Sequence, residues 1–195
     1  VRLATARNLV AVAACAILFG TAVSLIKGNA SGVRDAIGNA SAPWLLLPFV
    51  AGAATGRGAL VKSALMGALA SILALGAFYF ANSFVLELGP HSWPYDLRLT
   101  LESGHLYLGL GLLSGPSFGA LGGWWARSRS IPVGVGVAGL LVFEPLAWFA
   151  YGWRYPGAAG LSNYPLAWLG EVAVGLGMFA LMARLTGPTP FLERD

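Results

Sequence analysis

The sequence predicts an all-α fold, a polytopic membrane helix bundle of about six transmembrane helices forming one domain over residues 1–195. Three observations carry this expectation. Apolar residues make up 57% of the chain and charged ones only 10%, with a mean hydropathy of +0.71, whereas soluble domains carry about a quarter charged residues. The apolar residues fall in runs long enough to cross roughly 30 Å of hydrocarbon as helices. Gly111, Gly115, Gly119 and Gly123 recur at four-residue intervals, which on a helix makes a groove without side chains where another backbone can approach closely. A water-soluble fold is excluded on these grounds.

The first expected helix covers about 8–26. Arg2 and Arg7 before an apolar run imitate a signal peptide, and Val12-Ala13-Ala14-Cys15 imitates a lipoprotein cleavage box. The run before Cys15 is too short for that role and continues unbroken to Ile26, so the segment is read as a retained span closed by Lys27, with Ala16, Gly20 and Ser24 as a small-residue row. Residues 28–41 are a polar, glycine-rich connection with Asn-Ala-Ser at Asn29 and Asn39, read as turn and helix-start residues. Ser41 and Pro43 open a second helix over about 42–55, which Pro48 interrupts and which is short for a span. It is therefore expected to be tilted, broken or extended backward over Ala36 to Ala40.

Gly56-Arg57-Gly58 marks a turn before a third helix at about 59–86, where Lys62 can snorkel and Ser63, Gly67 and Ser71 repeat the small-residue spacing. Glu87 to Ser103 is expected as a polar loop. The glycine helix follows at about 105–125, crossed by Pro116 and closed by Trp124, Trp125, Arg127 and Arg129, an aromatic belt followed by cations; it is expected at the centre of the bundle. The fifth helix, about 131–151, contains Gly134, Gly136 and Gly139 in a formal dinucleotide fingerprint, but no strand precedes it and no βαβ unit can form around it. A connection with Trp153, Arg154 and Tyr155 leads to the sixth helix at about 165–183 and a polar tail.

The single cysteine, Cys15, allows no intrachain disulfide or thiolate metal site. The formal charge of +4 implies no nucleic-acid partner, because the cations fall between apolar runs. Six spans put both termini on one side of a cell membrane. Placing them in the cytoplasm puts Arg2, Arg7, Arg57, Lys62, Arg127, Arg129, Arg184 and Arg194 inside, against Lys27, Arg34, Arg98 and Arg154 outside.

With that orientation Glu144 and Glu171 lie at a common depth on adjacent antiparallel helices, about 10 Å below the outer surface at roughly 1.5 Å per residue. Ionisable residues inside a bilayer are costly and by default functional. The expected ligand or proton site comprises Glu144 and Glu171 with His105, Arg154, Tyr107, Trp148 and Asn82, and the expected occupant is a small cationic or heteroaromatic solute held by charge and aromatic faces. No catalytic residue, cofactor or metal motif is assigned.

Ala42-Pro43-Trp44, the Tyr79 region, Gly115-Pro116-Ser117-Phe118-Gly119 leading to Trp124-Trp125-Ala126-Arg127, and Glu144-Pro145-Leu146 together resemble a family of small bacterial integral membrane proteins carrying only a domain-of-unknown-function label. In size and layout the chain is also similar to the substrate-capture subunits of energy-coupling-factor vitamin transporters. Three functions are compatible with these features. One is a small-solute binding or transport component with an outward-facing site. Another is a structural or accessory subunit that meets other membrane subunits through its glycine rows. The third is an intramembrane enzyme using Glu144, Glu171 or His105 as acid and base, although no HExxH-type spacing or nucleophile–base pair is present.

The six-span topology makes a direct prediction. A membrane-impermeant thiol reagent applied from outside should label a cysteine placed at Ser92 or Gly157 and miss one placed at Ser128. The opposite labelling pattern would invert the orientation.

Overall fold

The computed structural model describes residues 2–28, 32–56, 59–85, 93–154 and 165–186. These residues form α1 (Arg2–Lys27), α2 (Val33–Gly38), α3 (Ala42–Ala53), α4 (Leu60–Val85), α5 (Trp93–Ser103), α6 (His105–Ser128), α7 (Ile131–Arg154) and α8 (Pro165–Thr186). The chain is an all-helical, multi-pass membrane protein. Five stretches among the described residues are long and apolar enough to cross a bilayer: Ala6–Lys27, Val33–Ala53, Leu60–Phe84, Ile131–Ala150 and Ala167–Arg184.

The glycine helix α6 is outside that set, because Gly109, Gly111, Gly115, Gly119, Gly122 and Gly123 contribute almost no hydropathy. Packing brings it alongside α4 all the same. A Cβ built on Gly111 would meet Leu75, one on Gly115 would meet Ser71, one on Gly119 would meet Ser63 and Gly67, and one on Gly123 would meet Ser63. The row 111, 115, 119, 123 thus meshes antiparallel with 75, 71, 67, 63, the small residues Ser71, Gly67 and Ser63 letting the helices approach closely and the Leu75 side chain filling in over Gly111. Pro116 lies within α6 without ending it. The helix stops at Arg129, which adopts the left-handed conformation (φ 49°), donates its N–H to Trp125 O at 2.8 Å and lays its guanidinium 4.9 Å from the centre of the Trp125 ring.

The hub of the bundle is α4 rather than α6 alone. It packs on α1, α3, α5 and α6, while α6 adds contacts to α3 and α7. The row in α1 performs as its spacing suggests: Ala16, Gly20 and Ser24 are all buried, and Gly20 abuts the backbone of Ala74. On α3, Gly52 abuts Gly119, and Phe49 packs against Trp125 with ring centres 5.9 Å apart. Trp44 bridges Phe19 of α1 and Phe78 of α4 in two edge-on contacts at 5.1 and 5.5 Å.

Two segments expected as connections are helical. The first, α2, completes the Val33–Ala53 span as a broken helix, with its interruption at Asn39–Ser41. The second, α5, buries Asp96 and Thr100 on one face, and Tyr79 Oη donates to Gly104 O, just beyond its end, at 3.2 Å. Its other face carries the exposed Arg98–Glu102 ion pair (2.7 Å). The short spacing of polar residues in both segments hides a helical period.

The ladder generates a stability prediction. A Cβ at Gly119 would lie 2.5 Å from Ser63 O and 2.8 Å from Gly67 Cα, while one at Gly109 would meet nothing within 4 Å. Gly119→Leu and Gly115→Leu should therefore each cost about 1–3 kcal/mol or more by overpacking. Gly109→Leu should leave the melting temperature in detergent unchanged. Equal melting temperatures for all three variants would remove the ladder from the account of stability.

Candidate functional site

The break between α2 and α3 organises the site. Arg34 donates through Nε to Ile26 O and through Nη2 to Leu25 O, both at 2.8 Å, and so satisfies carbonyls at the end of α1. Lys27 Nζ donates to Asn39 Oδ1 at 2.8 Å, and Asn39 Nδ2 donates in turn to Asp35 O and Oδ1 at 2.9 and 2.8 Å. These contacts fold the polar residues of the interruption onto the end of α1. They leave the N-terminus of α3 to be satisfied by another element.

That element is α7. Trp44 N–H and Leu45 N–H bond back to Ser41 O, and Pro43 has no N–H. The remaining donors, Ser41 N–H and Ala42 N–H, reach Glu144 Oε1 and Oε2 respectively, each at 2.6 Å. Glu144 is thus a helix cap supplied from 102 residues further along the chain, with its negative charge at the positive end of the α3 dipole. Such short bonds belong to a charged acceptor. Trp148, one turn on in α7, places Nε1 3.5 Å from Glu144 Oε1.

Glu171 on α8 is the second carboxyl of the site. It lines the same cleft as Pro43, the residue directly after the Ala42 N–H that Glu144 caps. Its Oε1 is buried and makes no hydrogen bond. The residue forms part of the wall of a cleft of about 190 Å³ between α2, the start of α3, α7 and α8, lined otherwise by apolar residues such as Ile37, Pro43, Leu141, Trp168 and Val174.

The other expected site residues lie elsewhere. His105 is exposed at the start of α6, with Nδ1 2.7 Å from Glu102 O, and Tyr107 is 67% exposed beside it. Asn82 is buried in α4. None of these three lines the cleft. Arg154 ends α7, and its side chain lies outside the described residues. Among the described residues no group of three or more His, Cys, Asp or Glu could hold a metal. The sequence reading did not pick out the backbone donors of Ser41 and Ala42, nor Gly170, which lines the cleft with open space before it. Pro43 directly after Ser41-Ala42 was their signal, since a proline at a helix start leaves the preceding N–H groups in need of an acceptor.

The two carboxyls should separate in a stability measurement. Glu144→Gln retains one acceptor oxygen but loses the charge opposite the α3 N-terminus, and should lower stability by about 1.5–3 kcal/mol, the worth of hydrogen bonds to a charged group. Glu171→Gln, which keeps the shape, should leave the melting temperature in place. Equal losses in both variants would instead indicate a purely structural pair.

No curated protein and no solved structure matches the chain. Residues 1–191 match the family of unknown function DUF6518, and the chain, an all-helical membrane protein, belongs to that family.

Proposed function

We propose that the protein is a small-solute binding or transport component of a cell membrane, with cytoplasmic termini and an outward-facing site in the cleft between α2, α3, α7 and α8. The observation that carries this reading is the cleft itself, of about 190 Å³, whose wall includes Glu171. Its described lining is apolar apart from that residue, as small-molecule sites commonly are: a shaped apolar wall with few polar groups. The likeness in size and helix number to capture subunits of energy-coupling-factor transporters points the same way, as a likeness of layout only.

Gly170 offers a direct test, because it lines the cleft and a Cβ there would meet nothing within 4 Å. Gly170→Leu should preserve or raise the melting temperature, since leucine favours a helix by roughly 0.8 kcal/mol over glycine. It should also abolish any small molecule that co-purifies with the native chain, as read by native mass spectrometry. A chain that carries no solute and instead retains a stable membrane subunit through purification would establish the accessory role.

A further inference from the structure

The helix termini at one end of the bundle gather cations. Asn8 Nδ2 donates to Ala54 O at 3.2 Å, joining the start of α1 to the end of α3. Thr55 Oγ1 lies 2.6 Å from Ser63 Oγ, and a Cβ on Gly123 would meet that serine, so the start of α4 and the end of α6 share this level. A Cβ on Gly134 would meet Met182 Sδ and Trp125 Nε1, which adds the start of α7 and the end of α8. Arg7, Lys62, Arg127, Arg129 and Arg184 each stand within about one helical turn of these contacts.

No described carboxyl balances them. Asp35, Asp96, Glu102, Glu144 and Glu171 all lie in the opposite half of the bundle. The cations of that half are engaged within the chain: Lys27 with Asn39, Arg34 with the carbonyls closing α1, and Arg98 with Glu102. At the cationic end Arg7, Lys62, Arg129 and Arg184 are exposed, and none of the five cations forms an ion pair among the described residues. Arg127 Nε donates to Gly123 O at 3.2 Å and Arg129 lies over Trp125, contacts that hold both side chains and neutralise neither. Depth decides what can balance this charge. Arg7 and Lys62 sit in the first turn of the spans Ala6–Lys27 and Leu60–Phe84, Arg129 lies just before Ile131–Ala150, and Arg184 closes Ala167–Arg184. The ends of spans lie at the level of the lipid headgroups, as the exposed Trp124 beside them also indicates.

We propose that this end of the bundle is a docking surface for anionic phospholipid, holding phosphatidylglycerol-type headgroups in the leaflet at which α1 begins. Charge complementarity selects the partner. A zwitterionic headgroup brings its own cation beside the phosphate, whereas an anionic one leaves its phosphate charge free for Lys and Arg, each of which gains roughly fivefold in binding near such a surface. The guanidinium fork matches two phosphate oxygens, and Arg129, already ordered on Trp125, loses little freedom on engaging them. The surface does not depend on the cleft, since Glu144 and Glu171 belong to the other half of the bundle.

The test is native mass spectrometry of the full chain released from detergent micelles that contain equal amounts of phosphatidylglycerol and phosphatidylcholine with the same acyl chains. The retained lipid should favour phosphatidylglycerol by at least about fivefold, the worth of one cation near an anionic surface. Lys62→Gln, Arg129→Gln and Arg184→Gln combined should bring the ratio close to one while the melting temperature in phosphatidylcholine alone stays in place. If the combined variant does not fold, Lys62→Gln by itself reads the same ratio and should lower it at least about twofold. Arg98→Gln, at the opposite end, should leave it unchanged. Equal retention of the two lipids by the native chain would overturn the proposal. A preference that survives the substitutions at the cationic end, or that Arg98→Gln removes, would put the anionic lipid elsewhere and overturn it as well. Inorganic phosphate at the concentration of the lipid should fail to displace phosphatidylglycerol; displacement would mark a site for a soluble anion and end the lipid assignment. Each of these failures leaves the cleft, which Gly170→Leu tests, untouched.

Discussion

A helix that stops inside a bilayer presents N–H groups to a medium that offers no acceptor, and in this protein that constraint falls on Ser41 and Ala42. Hydrocarbon cannot solvate them, so irregular backbone at that depth survives only where the protein supplies partners. Glu144 supplies both, at 2.6 Å each. The broken span Val33–Ala53 and the place of α7 beside it both depend on that pair of bonds. A carboxylate is the suitable acceptor because it carries two acceptor oxygens and a charge of the sign that the N-terminus of a helix attracts.

Elsewhere the bundle is held by a different force. Lipid tails are as apolar as leucine, so helices gain little from leaving them and associate instead through close packing. The rows 111–123 on α6 and 63–75 on α4 provide it, as do Gly20 against Ala74 and Gly52 against Gly119. These contacts join α1, α3, α4 and α6 into one block. The hairpin of α7 and α8 stands partly apart: Gly136, Gly170 and Gly177 face open space, and its links to the block run through α3, α6 and α2. A hairpin anchored at a carboxylate rather than along a ladder leaves room beside the anchor, and the cleft occupies that room.

This division explains what the sequence could show. A glycine ladder is written in local spacing, so the α6 row and its partners Ser63, Gly67 and Ser71 were legible, as was the possibility that the second span was broken or extended backward. The common depth of Glu144 and Glu171 was legible too, because depth follows from counting residues along a helix. Direction around the bundle does not. Asn82, Tyr107 and His105 were grouped with the carboxyls on depth, and the structure places them outside the cleft, with Tyr107 and His105 exposed on α6. The capping role of Glu144 joins residues more than a hundred positions apart and leaves no local pattern. The hydropathy of α6 was the opposite case, since the glycines that make it a packing helix are what lower its apolar signal.

The same hydrogen bonds weigh the three functional readings against one another. An acid–base pair for an intramembrane reaction needs two carboxyls free to gain and lose protons against a substrate. Glu144 has committed both oxygens to the backbone of α3, and removing its charge would undo the cap before any chemistry began. Glu171 lies in a cleft whose described lining residues include no nucleophile, which suits the proposed role of holding a ligand. In the proposed binding reading the two glutamates divide the work: Glu144 fixes the broken helix, and Glu171 stands in the wall of the cleft that this anchor leaves open.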